Sequence, residues 1–322
     1  MKLAVESQVG PITDTARARI AMVRPILRAM LFSLKRERVD RFGGHEKITM
    51  ADLAREYREG SGDCGICFEY AVHDALRHKN EHIHPLVSEL LEEFCNIKGG
   101  AESILFGAEK GGVLELIETE NALLTDDSRV LAGGIGQPPK LKRHLATIRK
   151  SLRVPGTRKV LPPSISGLWR ADLFVGSPSE DRWVATTLKT NAADLEAGAG
   201  IRIGIYPEKT INESPRKDDT KNLILCPLPY NASFMELFYS SFYAIKQFLT
   251  ADARIPAEVA LPRAEDRHVA SELEARRAFP LLDVLAALEP IGQPGLLESH
   301  LAGDAAETKE TDAIAPVAQT TK

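Results

Sequence analysis

Apolar residues at Ile12, Ala16, Ile20, Val23, Ile26, Leu27, Met30, Leu31 and Leu34 recur at helical spacing and predict a helix over 11–38. The arginines and lysines of this stretch fall largely between them, which places them on an expected wet face. Thr49 reads as the N-cap of a short helix over 49–58. After the turn cluster Gly60-Ser61-Gly62-Asp63, the apolar set Phe68, Ala71, Val72, Ala75 and Leu76 predicts a buried helix over 64–77. Pro85 suits the first turn of another helix over 85–95. Residues 99–136, punctuated by Gly-Gly pairs, fit no single period, and a helix is expected again over 139–152.

Beyond Pro162-Pro163 the texture changes. Leu168–Val175 and Trp183–Lys189 are β-rich runs joined by Gly176-Ser177-Pro178-Ser179, a hairpin signal. Residues 201–206 and 222–228 are two further strands, separated by a polar, charged loop at 207–221. Residues 232–249 form an apolar, aromatic helix whose Phe and Tyr spacing reads as core packing. Residues 267–287 are helical, broken at Pro280, and 303–322 have the composition of a disordered tail.

The chain has 322 residues, enough for a sizeable core, with 43% hydrophobic residues and a net charge of −4. That excludes a globally basic binder but permits a local basic patch. No apolar run reaches membrane-spanning length, and the first thirty residues lack the form of a secretory signal. Four cysteines make no disulfide scaffold, so a reducing cytoplasm is expected. One segment stands apart in charge. No acidic residue lies between Asp127 and Asp172, while Arg129, Lys140, Lys142, Arg143, Arg149, Lys150, Arg153, Arg158, Lys159 and Arg170 do. Phosphate backbones engage such patches; a solvated face or an acidic protein partner is the alternative.

Asp172 and Lys189 are poor strand residues placed in adjacent strands. A hairpin brings them side by side, as a buried ion pair or as part of a site. With Glu69 on the 64–77 helix they make a trio suited to phosphodiester hydrolysis, in which carboxylates hold Mg²⁺ and a lysine aligns water. The order of these pieces, Gly65-Ile66-Cys67-Phe68-Glu69 on a helix, a strand with Asp172, and a strand ending Leu188-Lys189-Thr190-Asn191, resembles the PD-(D/E)XK nuclease superfamily over roughly residues 62–250. The resemblance implies a restriction-endonuclease-like α/β fold, a mixed central sheet flanked by helices. It divides the chain into an N-terminal helical region (1–60), a nuclease-like core (61–250) with a helical basic insertion at about 98–160, and a C-terminal helical extension (251–302). It implies Glu69 and Asp172 as ligands of Mg²⁺ (or Mn²⁺) and Lys189 as the group positioning water, while the basic segment, by its charge, places Lys140, Lys142, Arg143, Arg149, Lys150, Arg153, Arg158 and Lys159 on DNA. Where the family has an acidic residue two positions before the lysine, this chain has Thr187. Glu69 is then expected to supply the missing carboxylate, with Asp194 as a lesser candidate. A DNA endonuclease of this kind implies control by a protein partner, by modification of host DNA or by activation on invasion, in a restriction or anti-phage defence setting. The same Thr187 leaves open a catalytically inactive, DNA-binding or scaffold relative.

Two further readings concern the cysteines. Cys64-Gly65-Ile66-Cys67-Phe68 resembles the nucleophile signature of papain-like cysteine proteases, with Cys67 at a helix start. Residues 197–217, where that family's histidine is expected, hold none, and position 61 is Ser. Cys64, Cys67, His82 and His84 are four conceivable zinc ligands, against packing as the ordinary fate of free cysteine. His73 and His78 share the Glu69 helix and read as satisfied or exposed histidines.

Overall fold

The helix expected over 11–38 forms as two pieces, α1 (Asp14–Phe32) and α2 (Arg36–Phe42), because Lys35 turns extended between them. The computed structural model describes residues 11–57, 63–106, 120–131, 137–153, 171–195, 200–209, 214–229, 233–251, 261 and 263–291. The polar 303–322 tail lies outside them.

α1 differs from the pattern in a second way. It packs against other helices on several sides, so its arginines do not line a wet face: Arg19, Arg24 and Arg28 are buried. Each is matched by chemistry suited to a buried guanidinium. Arg19 Nη1 lies 2.6 Å from Asp266 Oδ1, and Arg24 reaches Asp74 Oδ1 at 2.5 Å and Glu289 Oε2 at 3.2 Å. The Arg28 guanidinium lies 5.9 Å from the centre of the Tyr70 ring.

α3 (Met50–Glu56) starts at Thr49, which with Asp52 closes a capping box. α4 (Asp63–Arg77) carries Glu69 and packs against α1, and α5 (Ile83–Cys95) follows, ending at Asn96 in the left-handed conformation. The 98–160 segment, expected to be helical, contributes two strands, β1 (Glu102–Leu105) and β2 (Arg129–Leu131), before α6 (Leu141–Arg153). Strands this short escape a periodicity reading.

β3 (Leu173–Ser177) and β4 (Arg182–Leu188) are the expected hairpin, with the turn at Pro178–Asp181. Gly176 lies inside β3, and its role is close approach: a Cβ there would stand 2.2 Å from the Arg182 carbonyl oxygen and 2.7 Å from Trp183 Cα. β5 (Arg202–Glu208) and β7 (Leu223–Pro229) match expectation. The charged loop between them contains β6 (Arg216–Asp218), an edge strand whose charge guards the sheet's end.

The result is a mixed seven-stranded sheet in the order β1-β3-β4-β5-β7-β6, with β2 beside the first half of β4. β1, β3 and β4 run antiparallel; β4, β5 and β7 run parallel. α7 (Ser233–Ala251) buries Phe234, Phe238 and Phe248, with Phe238 packed against Phe68 of α4, so this aromatic helix is core. Pro280 separates α8 (Ala264–Ala275) from α9 (Leu281–Leu288). The Leu281 N–H donates to Ile48 O and Ala51 N–H to Arg277 O, which ties the C-terminal helices to the start of α3. One hydrophobic cluster runs from α1 through the sheet to α9.

Candidate active site

The β3–β4 register ends with Leu173 opposite Thr186, and Asp172, just before β3, takes the Thr187 hydroxyl on its carboxylate. Residues facing each other across antiparallel strands share a face, as do residues two apart along a strand. Asp172, Thr187 and Lys189 therefore project together at one end of the hairpin. The β1–β3 and β4–β5 ladders continue to this end through Phe106 N–H to Asp172 O and Lys189 N–H to Ile205 O, while Asp172 N–H donates to the Thr186 O already opposite Leu173, a one-residue shift in the β3–β4 pairing.

The Asp172 carboxylate is 9% exposed, and its partners among the described residues come from β4 and the residue after it. Its Oδ2 accepts the Thr187 hydroxyl at 3.0 Å and the Leu188 N–H at 2.9 Å, and the Lys189 ammonium stands 3.5 Å away. Oδ1 has no hydrogen bond among the described residues and is not sealed from solvent. Lys189 is 34% exposed at the side chain, so it faces both the carboxylate and the outside.

Glu69 is half-buried on α4, which packs against β1 and reaches β4; it is not among the groups bonded to Asp172. A hydrogen bond between His73 Nδ1 and Ser103 Oγ (2.9 Å) pins this helix to β1. Asp194 is exposed in the 3₁₀ turn Ala192–Asp194. Among the described residues no three His, Cys, Asp or Glu side chains gather as a metal-binding group.

One further residue of this face is not singled out by the sequence pattern. Arg202 is buried, paired in register with Ala185, two positions from the Gly204 that faces Thr187. Alternation puts it on the Thr187 face. The signal was present, a lone arginine amid Ile201, Ile203 and Ile205.

The cysteines are packing residues. Cys67 is 1% exposed, with its Sγ 3.7 Å from Ile26 O, and burial pushes its thiol well above the ordinary value. Burial likewise raises Cys64 to about 11, although Lys246 pulls the other way. Desolvation outweighs the helix start, so Cys67 is not an activated thiolate. Cys64, Cys67, His82 and His84 do not gather as a zinc site. His73, wholly buried and near Arg28, is lowered to about 3 by burial first and that cation second. His78 is raised, chiefly by its hydrogen bond to Asp74.

In the basic segment, Lys140 pairs with Asp127 (3.1 Å) and Lys142 with Asp126 (3.3 Å), while Arg143 is exposed. The acidic pair just before the segment thus folds back onto it. Arg149, Lys150 and Arg153 fall on α6, with side chains outside the described set; Arg158, Lys159 and Arg170 lie outside the described residues.

Compared with protein-family models, curated proteins and solved structures, the chain matches none. Among the described residues no helix is long and apolar enough to cross a membrane.

Proposed function

We propose that the chain is a divalent-metal-dependent nuclease with a restriction-endonuclease-like core, hydrolysing phosphodiester bonds of DNA. The observation that carries this reading is the hairpin end where Asp172 keeps one carboxylate oxygen open beside Lys189. The strand order supports it too: an antiparallel β1–β3–β4 unit preceded by the Glu69 helix and continued by a parallel β5.

The donor set fits a hard cation, which takes oxygen ligands. Asp172 and Glu69 would hold Mg²⁺ or Mn²⁺. Bound there, the ion polarises the phosphate and acidifies a water. Lys189, held by Asp172 yet open to solvent, aligns that water and offsets charge developing on phosphate. Arg143, Lys140 and Lys142, with Arg149, Lys150, Arg153, Arg158 and Lys159, bind the DNA backbone. A reducing cytoplasm belongs to this reading. Regulation by a protein partner, in a restriction or anti-phage defence setting, belongs to this reading.

A second reading is a catalytically inactive DNA-binding subunit of the same fold. It is favoured by Thr187, which donates to Asp172 where the resemblance leads one to expect a second carboxylate. Incubation of supercoiled plasmid with Mg²⁺ or Mn²⁺, against EDTA, separates the two. The nuclease reading expects metal-dependent nicking or linearisation that Asp172→Asn and Lys189→Ala abolish. Retained DNA binding without cleavage in either metal selects the second reading.

A further inference from the structure

The departure at position 187 explains how Asp172 is held. A carboxylate rotates readily about its terminal bond and offers either oxygen to a ligand. In this site both short hydrogen bonds, from the Thr187 hydroxyl and the Leu188 N–H, converge on Oδ2, with the Lys189 ammonium on the same atom. Among the described residues none goes to Oδ1. Two donors from adjacent residues of one strand define both the position and the plane of the carboxylate. Thr187 is itself constrained: it is 2% exposed and β-branched, with Gly204 facing it on β5. Its hydroxyl has little water to turn to, and the facing glycine offers no side chain to compete for it.

We propose that Thr187 is a positioning residue, which holds Asp172 by Oδ2 so that Oδ1 alone is presented to a divalent cation. The site thereby takes one carboxylate from the hairpin and seeks its second away from position 187. This rests on the nuclease reading and deepens it.

The test measures Mn²⁺ binding directly, by the electron paramagnetic resonance signal of free Mn²⁺, beside plasmid cleavage. Thr187→Val removes the hydroxyl and keeps the shape; Thr187→Ser keeps the hydroxyl. Loss of an outer hydrogen bond to a ligating group weakens metal affinity by about 10–100-fold. Thr187→Val should weaken Mn²⁺ binding by about that factor, with cleavage rising toward the wild-type rate as Mn²⁺ is raised, and Thr187→Ser should restore binding to near wild type. Thr187→Cys replaces the Val variant if the latter does not fold, with the same expected loss. Equal Mn²⁺ affinity in wild type and the Val or Cys variant overturns the positioning role, while cleavage by the wild type still upholds the nuclease. A wild type that neither binds Mn²⁺ nor cleaves overturns both.

Discussion

Removing Lys189 tests how much of the hairpin end is chemistry and how much is ion pair. A buried charge stripped of its only partner costs about 3–5 kcal/mol. Asp172 is not so dependent, since it keeps the Thr187 hydroxyl and the Leu188 N–H. Lys189 is also one-third exposed and 3.5 Å away, so screening weakens the pair. Lys189→Ala should therefore lose only about 1 kcal/mol, a fall of roughly 1–2 °C in melting temperature without metal for a chain of this length, yet on the nuclease reading abolish cleavage. A fall several times larger would make the lysine structural first. The pairing of Asp172 with Lys189 was legible because both are misfits in strands. The direction of the Thr187 hydroxyl was not, because it depends on register and on where β4 stops pairing. Arg202 does not stand out in the sequence, because a single arginine in an alternating strand reads as solvent-facing until a second layer is known to cover it.

The β3–β4 hairpin sets that register, and Gly176 is the position on which it is most sensitive. An added Cβ meets the backbone of Arg182 and Trp183, which cannot swing aside as a side chain would. Gly176→Ala should destabilise the protein by about 1–3 kcal/mol, the range for overpacking. On the nuclease reading it should also weaken metal binding, because Asp172 directly precedes β3 and Thr187 lies in β4, at the far end of the same hairpin. A calorimetric melt and a Mn²⁺ titration check both; an alanine variant with unchanged melting temperature and affinity would show that the strands separate freely. The sequence marked this glycine as part of a turn, because Gly-Ser-Pro-Ser is turn composition. Only the pairing shows that the turn begins at Pro178. α1 teaches the same lesson about helices. Its period was legible, but arginines at 19, 24 and 28 look wet until Asp266, Asp74 and Glu289, distant in sequence, arrive to pair with Arg19 and Arg24.

At the scale of the molecule, acid sensitivity and, on the proposed reading, DNA affinity follow from charges that the fold brings together. His73 stays neutral in the fold down to about 3, against 6.5 for an ordinary histidine. Unfolding lets it take up a proton, so stability falls as pH drops from about 6.5 toward 3, by at most about 1.4 kcal/mol per pH unit. His78, raised by Asp74, acts oppositely: its contribution is full below 6.5 and is lost as pH climbs past its folded value. Asp74 is lifted by burial but held lower overall by His78 and Arg24, so its contribution fades only below 3.8. Between pH 6 and 4.5 the His73 effect should lead, and His73→Gln should flatten the decline of the urea midpoint by about one proton; coincident slopes would remove it. The basic segment requires the same attention to partners. Ten basic residues without an acid looked uncompensated in sequence, but Asp126 and Asp127 reach Lys142 and Lys140. These acids are exposed, and such pairs are worth about 0–1 kcal/mol, so a phosphate can displace them. Changing Lys140, Lys142 and Arg143 together to Ala should lower the log–log salt slope of DNA binding by about 0.9 for each phosphate no longer neutralised. Asp126→Asn with Asp127→Asn should raise affinity at low salt, because the lysines then meet DNA without a competitor, and the gain should shrink as salt screens the acids. An unchanged slope in the first variant, with no gain in the second, would place the DNA elsewhere on the molecule and leave this face to a protein partner.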